Sequence, residues 1–122
     1  MRRASSGLAA GVLCVCLAAH AEASASAADA SLADAWRAVR TADCARCHGK
    51  DHEGLAAPSI VGAAGTQTRE RFIAAVLDGN PPMGMPAYRG NPLIEDRIDA
   101  IYRYFAGRAD GSIPAGALPR RD

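Results

Sequence analysis

The sequence predicts a small all-α domain built on three main helices. Three observations predict it. Apolar residues recur at helical spacing in three separate segments, no stretch alternates apolar and polar residues as a half-buried strand would, and glycine and proline gather between the segments. A chain of 122 residues is enough for one domain and too short for two ordinary ones.

Residues 1–27 read as an export signal. Met1-Arg2-Arg3 is a basic start, residues 8–19 are an apolar run, and Ala21-Glu22-Ala23 and Ala25-Ser26-Ala27 are small-residue triplets that place cleavage after about residue 23 or 27. The run is shorter than the roughly 20 residues that a membrane span needs, and His20 and Glu22 end it, so we expect no stable membrane insertion. Arg2-Arg3 lacks the surroundings of a twin-arginine signal. Cys14 and Cys16 leave with this segment, and the mature chain is expected in the periplasm. Of the 14 basic residues Arg2 and Arg3 are lost, and of the 13 acidic ones Glu22, so 12 of each remain after cleavage at Ala27. A near-neutral chain is a poor match for nucleic acid or an anionic membrane surface.

Residues 28–108 form the expected domain. Ser31 and Asp34 mark a helix start, with Leu32, Ala35, Trp36 and Val39 on one face, and this helix is expected to run into the motif that begins at Cys44. Residues 49–65 read as a loop punctuated by Gly49, Gly54, Pro58, Gly62 and Gly65. Thr66 or Thr68 opens a second helix with a stripe of Phe72, Ile73, Val76 and Leu77, closed by Gly79. The stretch from Gly79 to Pro86, Gly-Asn-Pro-Pro-Met-Gly-Met-Pro, cannot be regular structure. A third helix enters at Asn91 and Pro92 and carries Ile94, Ile98, Ile101, Tyr102 and Phe105 as far as Gly107. Residues 109–122 are expected as an extended tail.

Chemistry concentrates in Cys44-Ala45-Arg46-Cys47-His48. Two thiols one helical turn apart can reach two neighbouring vinyl groups of one porphyrin, and the histidine that follows lies over the metal. The spacing therefore points to one covalently attached haem c, with thioethers at Cys44 and Cys47 and His48 as the proximal ligand to iron. Three other readings fit less well. A thioredoxin-like pair would follow a strand, a zinc site of Cys44, Cys47, His48 and His52 lacks the usual gap between its cysteine and histidine pairs, and a Cys44–Cys47 disulfide would close a strained loop.

The sixth position of the iron decides between carrier and catalyst. After the initiator, the only methionines are Met83 and Met85, both on the loop stiffened by Pro81, Pro82 and Pro86. Their setting lacks the periodicity of core methionine, so either is a candidate thioether ligand. His52 lies only four residues from His48, on the same side of the ring, and is expected at the surface.

With these residues in view, the chain resembles the class I c-type cytochromes. The resemblance rests on Cys44 to Gly49, on Ala57-Pro58, on Gly84-Met85-Pro86-Ala87-Tyr88 and on the aromatic-bearing last helix. It implies the cytochrome c fold, three main helices around one covalent haem, with first and last helices crossing and His48 and Met85 axial. Met85 is preferred over Met83 because Met85-Pro86-Ala87-Tyr88 is the part that matches. The resemblance also implies that the Pro58 carbonyl bonds to the second ring nitrogen of His48. One departure is that Trp36 and Arg40 stand where the family often has a glycine and an aromatic. The end of the domain, residues 104–111, is similar to small cytochromes serving quinoprotein alcohol dehydrogenases, and residues 40–48 are similar to those linked to nitrite reduction.

The implied function is one-electron transfer without catalysis, by a monomer that meets a donor dehydrogenase and an acceptor oxidase or reductase. Arg46, Lys50 and Arg89 would form a basic rim, or be balanced by Asp43, Asp51 and Glu53. Two other classes stay open: a five-coordinate haem sensor or enzyme, and a fixed haem subunit of a larger oxidoreductase complex.

Overall fold

A computed structural model describes residues 31–116. The expected export signal falls outside that range, apart from which the described chain is helical. The elements are α1 (31–41), α2 (Ala45–His48), α3 (Ile60–Thr66), α4 (Arg69–Asp78), a single 3-10 turn (Pro81–Met83), α5 (Pro92–Glu95) and α6 (Ile98–Asp110). Among the described residues the only β pairing is one isolated bridge between Asn80 and Met85.

The core lies between α1, α3, α4, α5 and α6. In α1 the buried residues are mostly small, Ala33, Ala35, Ala38 and Val39, with Leu32 and Trp36 half-buried at the edge. Small side chains let α1 lie close to its neighbours. Two polar clamps hold it there: Arg97 Nε donates to Asp34 Oδ2 at 2.6 Å, and Arg103 donates to the Ser31 hydroxyl at 3.0 Å. Phe72 of α4 meets Tyr102 and Phe105 of α6 at centroid distances of 5.4 and 6.1 Å, within the range of favourable tilted aromatic pairs.

Helix boundaries follow their caps. Thr68, and not Thr66, opens α4, its hydroxyl accepting from the Arg71 amide at 3.3 Å. Gly79 closes it at φ 64° and ψ −162°, a region open essentially to glycine alone. Asn91 caps α5 through the Leu93 amide at 3.0 Å.

Three elements differ from the sequence expectation. Residues 60–66 are helix and not loop, because Ser59 accepts from the Gly62 amide at 2.9 Å and the new helix packs along α6. The expected third helix is two helices, α5 and α6, broken at Arg97 (φ −116°, ψ 7°). There the guanidinium turns back to the carbonyls of Pro92 and Leu93 at 3.1 and 3.4 Å, satisfying acceptors that the break leaves free. Gly107 does not stop α6, which continues to Asp110 and ends at Gly111 with φ 84°. A side chain at Gly107 would sit 2.7 Å from Ile113, whose amide donates to the Gly107 carbonyl at 2.9 Å. The tail folds back there through residue 116, and 117–122 lie outside the described range.

Candidate functional site: an apolar crevice behind the Cys-X-X-Cys-His turn

α1 ends before the motif. Asp43 takes a left-handed conformation at φ 57°, the chain turns, and Cys44 starts the single turn α2. The loop that follows is tied back onto this turn: the Gly54 amide donates to the His48 carbonyl at 2.7 Å and the Ala57 amide to the Cys47 carbonyl at 2.9 Å. Those bonds bring Pro58 beside the histidine. His48 Nδ1 lies 2.6 Å from the Pro58 carbonyl oxygen. A carbonyl can only accept, so Nδ1 carries the proton and Nε2 is left with a free lone pair.

The crevice in front of His48 is lined by Cys44, Cys47, His48, Met83 and Met85 together with apolar side chains such as Val39, Phe72, Ile101 and Phe105. Its cavity volume is about 240 Å³, close to the lower end of the ~300–1,000 Å³ of small-molecule and cofactor sites. Burial pushes the Cys44 thiol up to about 11, against a backbone hydrogen bond that lowers it, and the Asp43 carboxylate adds to the rise. Such a position disfavours a thiolate and suits an uncharged thioether. Burial likewise raises the Tyr88 hydroxyl, at the same wall, with Cys44 and Cys47 adding to it. Apolar walls, paired thiols and a bare imidazole nitrogen fit a haem, and they fit a hydrophilic metal ion poorly. No disulfide joins Cys44 and Cys47. Among the described residues no three His, Cys, Asp or Glu groups converge on one metal position, which removes the zinc reading.

The two methionines stand differently. Met85 is half-buried and its backbone is pinned by the bridge to Asn80, with the Asn80 amide on the Met85 carbonyl at 3.0 Å and the Met85 amide on the Asn80 carbonyl at 3.1 Å. Met83, at the end of the 3-10 turn, is 82% exposed. Asn80 is a positioning residue that sequence reading passed over. Its place on the far side of the prolines from Met85 is the only signal of the pairing.

His52 corrects an expectation, being buried and not on the surface. Of the expected basic rim, Arg89 is paired with Asp78 at 2.5 Å, Lys50 borders a second, smaller cavity and Arg46 is exposed. What the mouth does expose is apolar, Met83 and also Leu55, at 76% exposure beside the wall residues Ala56 and Ala57.

The comparisons with known proteins agree with this geometry. A family model described as "Cytochrome C oxidase, cbb3-type, subunit III" matches residues 27–105. The chain therefore belongs to this family of c-type cytochrome domains, has the all-α cytochrome c fold and carries covalently bound haem c. The family transfers electrons and is not a family of enzymes. Curated relatives include cytochrome c-555 of Methylococcus capsulatus, 36% identical over 78 residues, 63% of this chain and 62% of that one. Cytochrome c-553-like of Synechocystis sp. is 37% identical over 60 residues, 49% of this chain and 56% of that one. Cytochrome c-553I of Paracoccus denitrificans is 30% identical over 89 residues, 67% of this chain and 39% of that one. The chain thus spans less than two thirds of the length of each of these three. No solved structure matches it.

Proposed function

We propose that the protein is a periplasmic one-electron carrier whose haem is fixed by Cys44 and Cys47 and whose iron is ligated by His48 and Met85. The observation that carries this reading is the His48 Nδ1 contact with the Pro58 carbonyl at 2.6 Å, supported by the pinning of Met85 on the same crevice. When bound, haem supplies a one-electron iron couple, and histidine with methionine holds its potential high. The chain's own residues do the rest. Pro58 fixes the tautomer and ring plane of His48 and makes Nε2 more basic. Asn80 and the three prolines hold the Met85 thioether with little left to order. With His48 and Met85 both holding it, the iron would be shielded from substrates, and exchange would run through the mouth, where Leu55 and Met83 offer an apolar contact for a brief, small-area encounter.

The donor on this reading is a dehydrogenase or reductase and the acceptor a respiratory oxidase or reductase. The description of the matching family model, naming an oxidase subunit, favours a second reading as a fixed haem subunit. Co-purification of the tagged protein from its host with a stoichiometric oxidase would select it.

The ligand assignment is tested by optical spectra of the holoprotein beside Met85→Ala. The expected result is a weak red band of ferric iron bound by methionine sulfur that disappears in Met85→Ala and persists in Met83→Ala. A wild type without that band, whose reduced form binds carbon monoxide readily, would establish an open sixth site and a sensor or enzyme.

A further inference from the structure

Electron transfer uses the side of the motif loop that faces the crevice and leaves His52 without a role. This residue is 6% exposed and sits in left-handed backbone at φ 62°, which few residues other than glycine adopt. It is firmly placed. Its carbonyl accepts from the amides of Ile60 and Val61 at 3.0 and 3.3 Å and from the Ser59 hydroxyl at 3.4 Å. The ring stands edge-on to Phe105 at 5.2 Å, yet neither ring nitrogen has a protein hydrogen-bond partner. Buried polar side-chain atoms are nearly always bonded, so such a pair calls for an explanation.

The imidazole borders a second cavity, of about 10 Å³, room for roughly one water-sized particle. Arg40, Lys50 and Arg108 surround it with a single carboxylate, Asp51. Among the described residues none of these four takes part in an ion pair. Arg108 donates only to the main-chain carbonyl of Asp51, at 3.1 Å, and the Arg40 guanidinium lies 4.8 Å over the Trp36 ring. Three cations face one anion in a partly closed space. A water molecule would satisfy a ring nitrogen and leave that charge uncompensated, whereas an anion answers both.

We infer that this cavity binds a small inorganic anion of halide size, held by a ring N–H of His52 and the Arg108 guanidinium, with Arg40 and Lys50 supplying charge at its opening. Protonation of His52 is disfavoured first by burial and then by Arg108, with Glu53 and Asp51 opposing. The site is separate from the haem crevice, so it stands or falls independently of the ligand assignment above.

The test is a titration of the holoprotein with sodium bromide at constant ionic strength, balanced with sodium gluconate, read as the melting midpoint, together with anomalous diffraction from crystals grown in bromide. The expected result is a saturable rise in the midpoint and an anomalous peak within hydrogen-bond reach of His52. Arg108→Gln should weaken the apparent affinity at least about tenfold, the size of one lost charge-assisted hydrogen bond. His52→Asn, whose side chain tolerates the left-handed backbone, should do the same with the haem spectrum unchanged. A midpoint indifferent to bromide, a response in both variants equal to that of the wild type, or ordered water without an anomalous peak would each overturn the site.

Discussion

The Pro58 carbonyl can only accept a hydrogen bond, and that one fact fixes which nitrogen of His48 is free for iron. Gly79 works at the same scale on the opposite wall. A Cβ there would lie 2.4 Å from the Pro86 carbonyl oxygen, and its backbone region excludes other residues at a cost of about 1–3 kcal/mol. Gly79→Ala should therefore lower stability by about that much and displace the Met85 loop. The measurement is thermal bleaching of the red band, which should begin at a lower temperature than global unfolding followed by circular dichroism. His52 gives a pH dependence. Its folded pKa is lowered from 6.5, by burial above all, then by Arg108 and His48. The unfolded chain then takes up the proton more readily, so this contribution to stability is complete above about pH 6.5 and is lost as pH falls below it. Melting midpoints measured down from neutral pH should show that loss, and His52→Asn should flatten it.

At the scale of elements, Arg97 ends α5 and fastens α1. It bonds two α5 carbonyls and the Asp34 carboxylate. The ion pair by itself is about one third and one half exposed at its two ends and contributes at most ~1 kcal/mol, whereas the freed carbonyls add a further cost of about 1–2 kcal/mol. Chemical denaturation should accordingly rank Arg97→Ala well below Asp34→Asn in stability, with the double variant no worse than Arg97→Ala. This helix break shows where sequence reading runs out. The apolar set from Ile94 to Phe105 keeps one helical period across the break, and nothing local announces that Arg97 has better partners 63 residues away. The same limit hid α3, since Gly62 and Gly65 read as loop residues until α6 supplies a surface to pack on. Caps were legible because their chemistry is local: Thr68, Gly79 and Asn91 act within three residues. The Cys-X-X-Cys-His turn was legible for a different reason, a spacing that the macrocycle dictates, and Pro58 only through the family resemblance. The burial of His52 was not, because it depends on Phe105, far along the chain.

On the scale of the whole molecule, the crevice runs into the space between α1, α4 and α6, and the residues that line it, Val39, Phe72, Ile101 and Phe105, are also the centre of the core. Protein interiors are close-packed, and side chains around a void lose their dispersion partners outright. A cavity of about 240 Å³ at the centre of so small a domain leaves its walls without those partners, in a chain with few other contacts to offset them. Folding and haem attachment are then one process, as folding and metal binding are in small metal domains. Replacing both thiols, Cys44→Ala with Cys47→Ala, removes the covalent link and keeps every other residue. The expected product has weak helical circular dichroism and no cooperative melting transition, and added haem, held through His48 alone, should restore only part of the helix signal. A cooperative transition in the haem-free double variant, with the helix content of the holoprotein, would mean that the core helices hold their positions without the macrocycle and that the crevice is preformed.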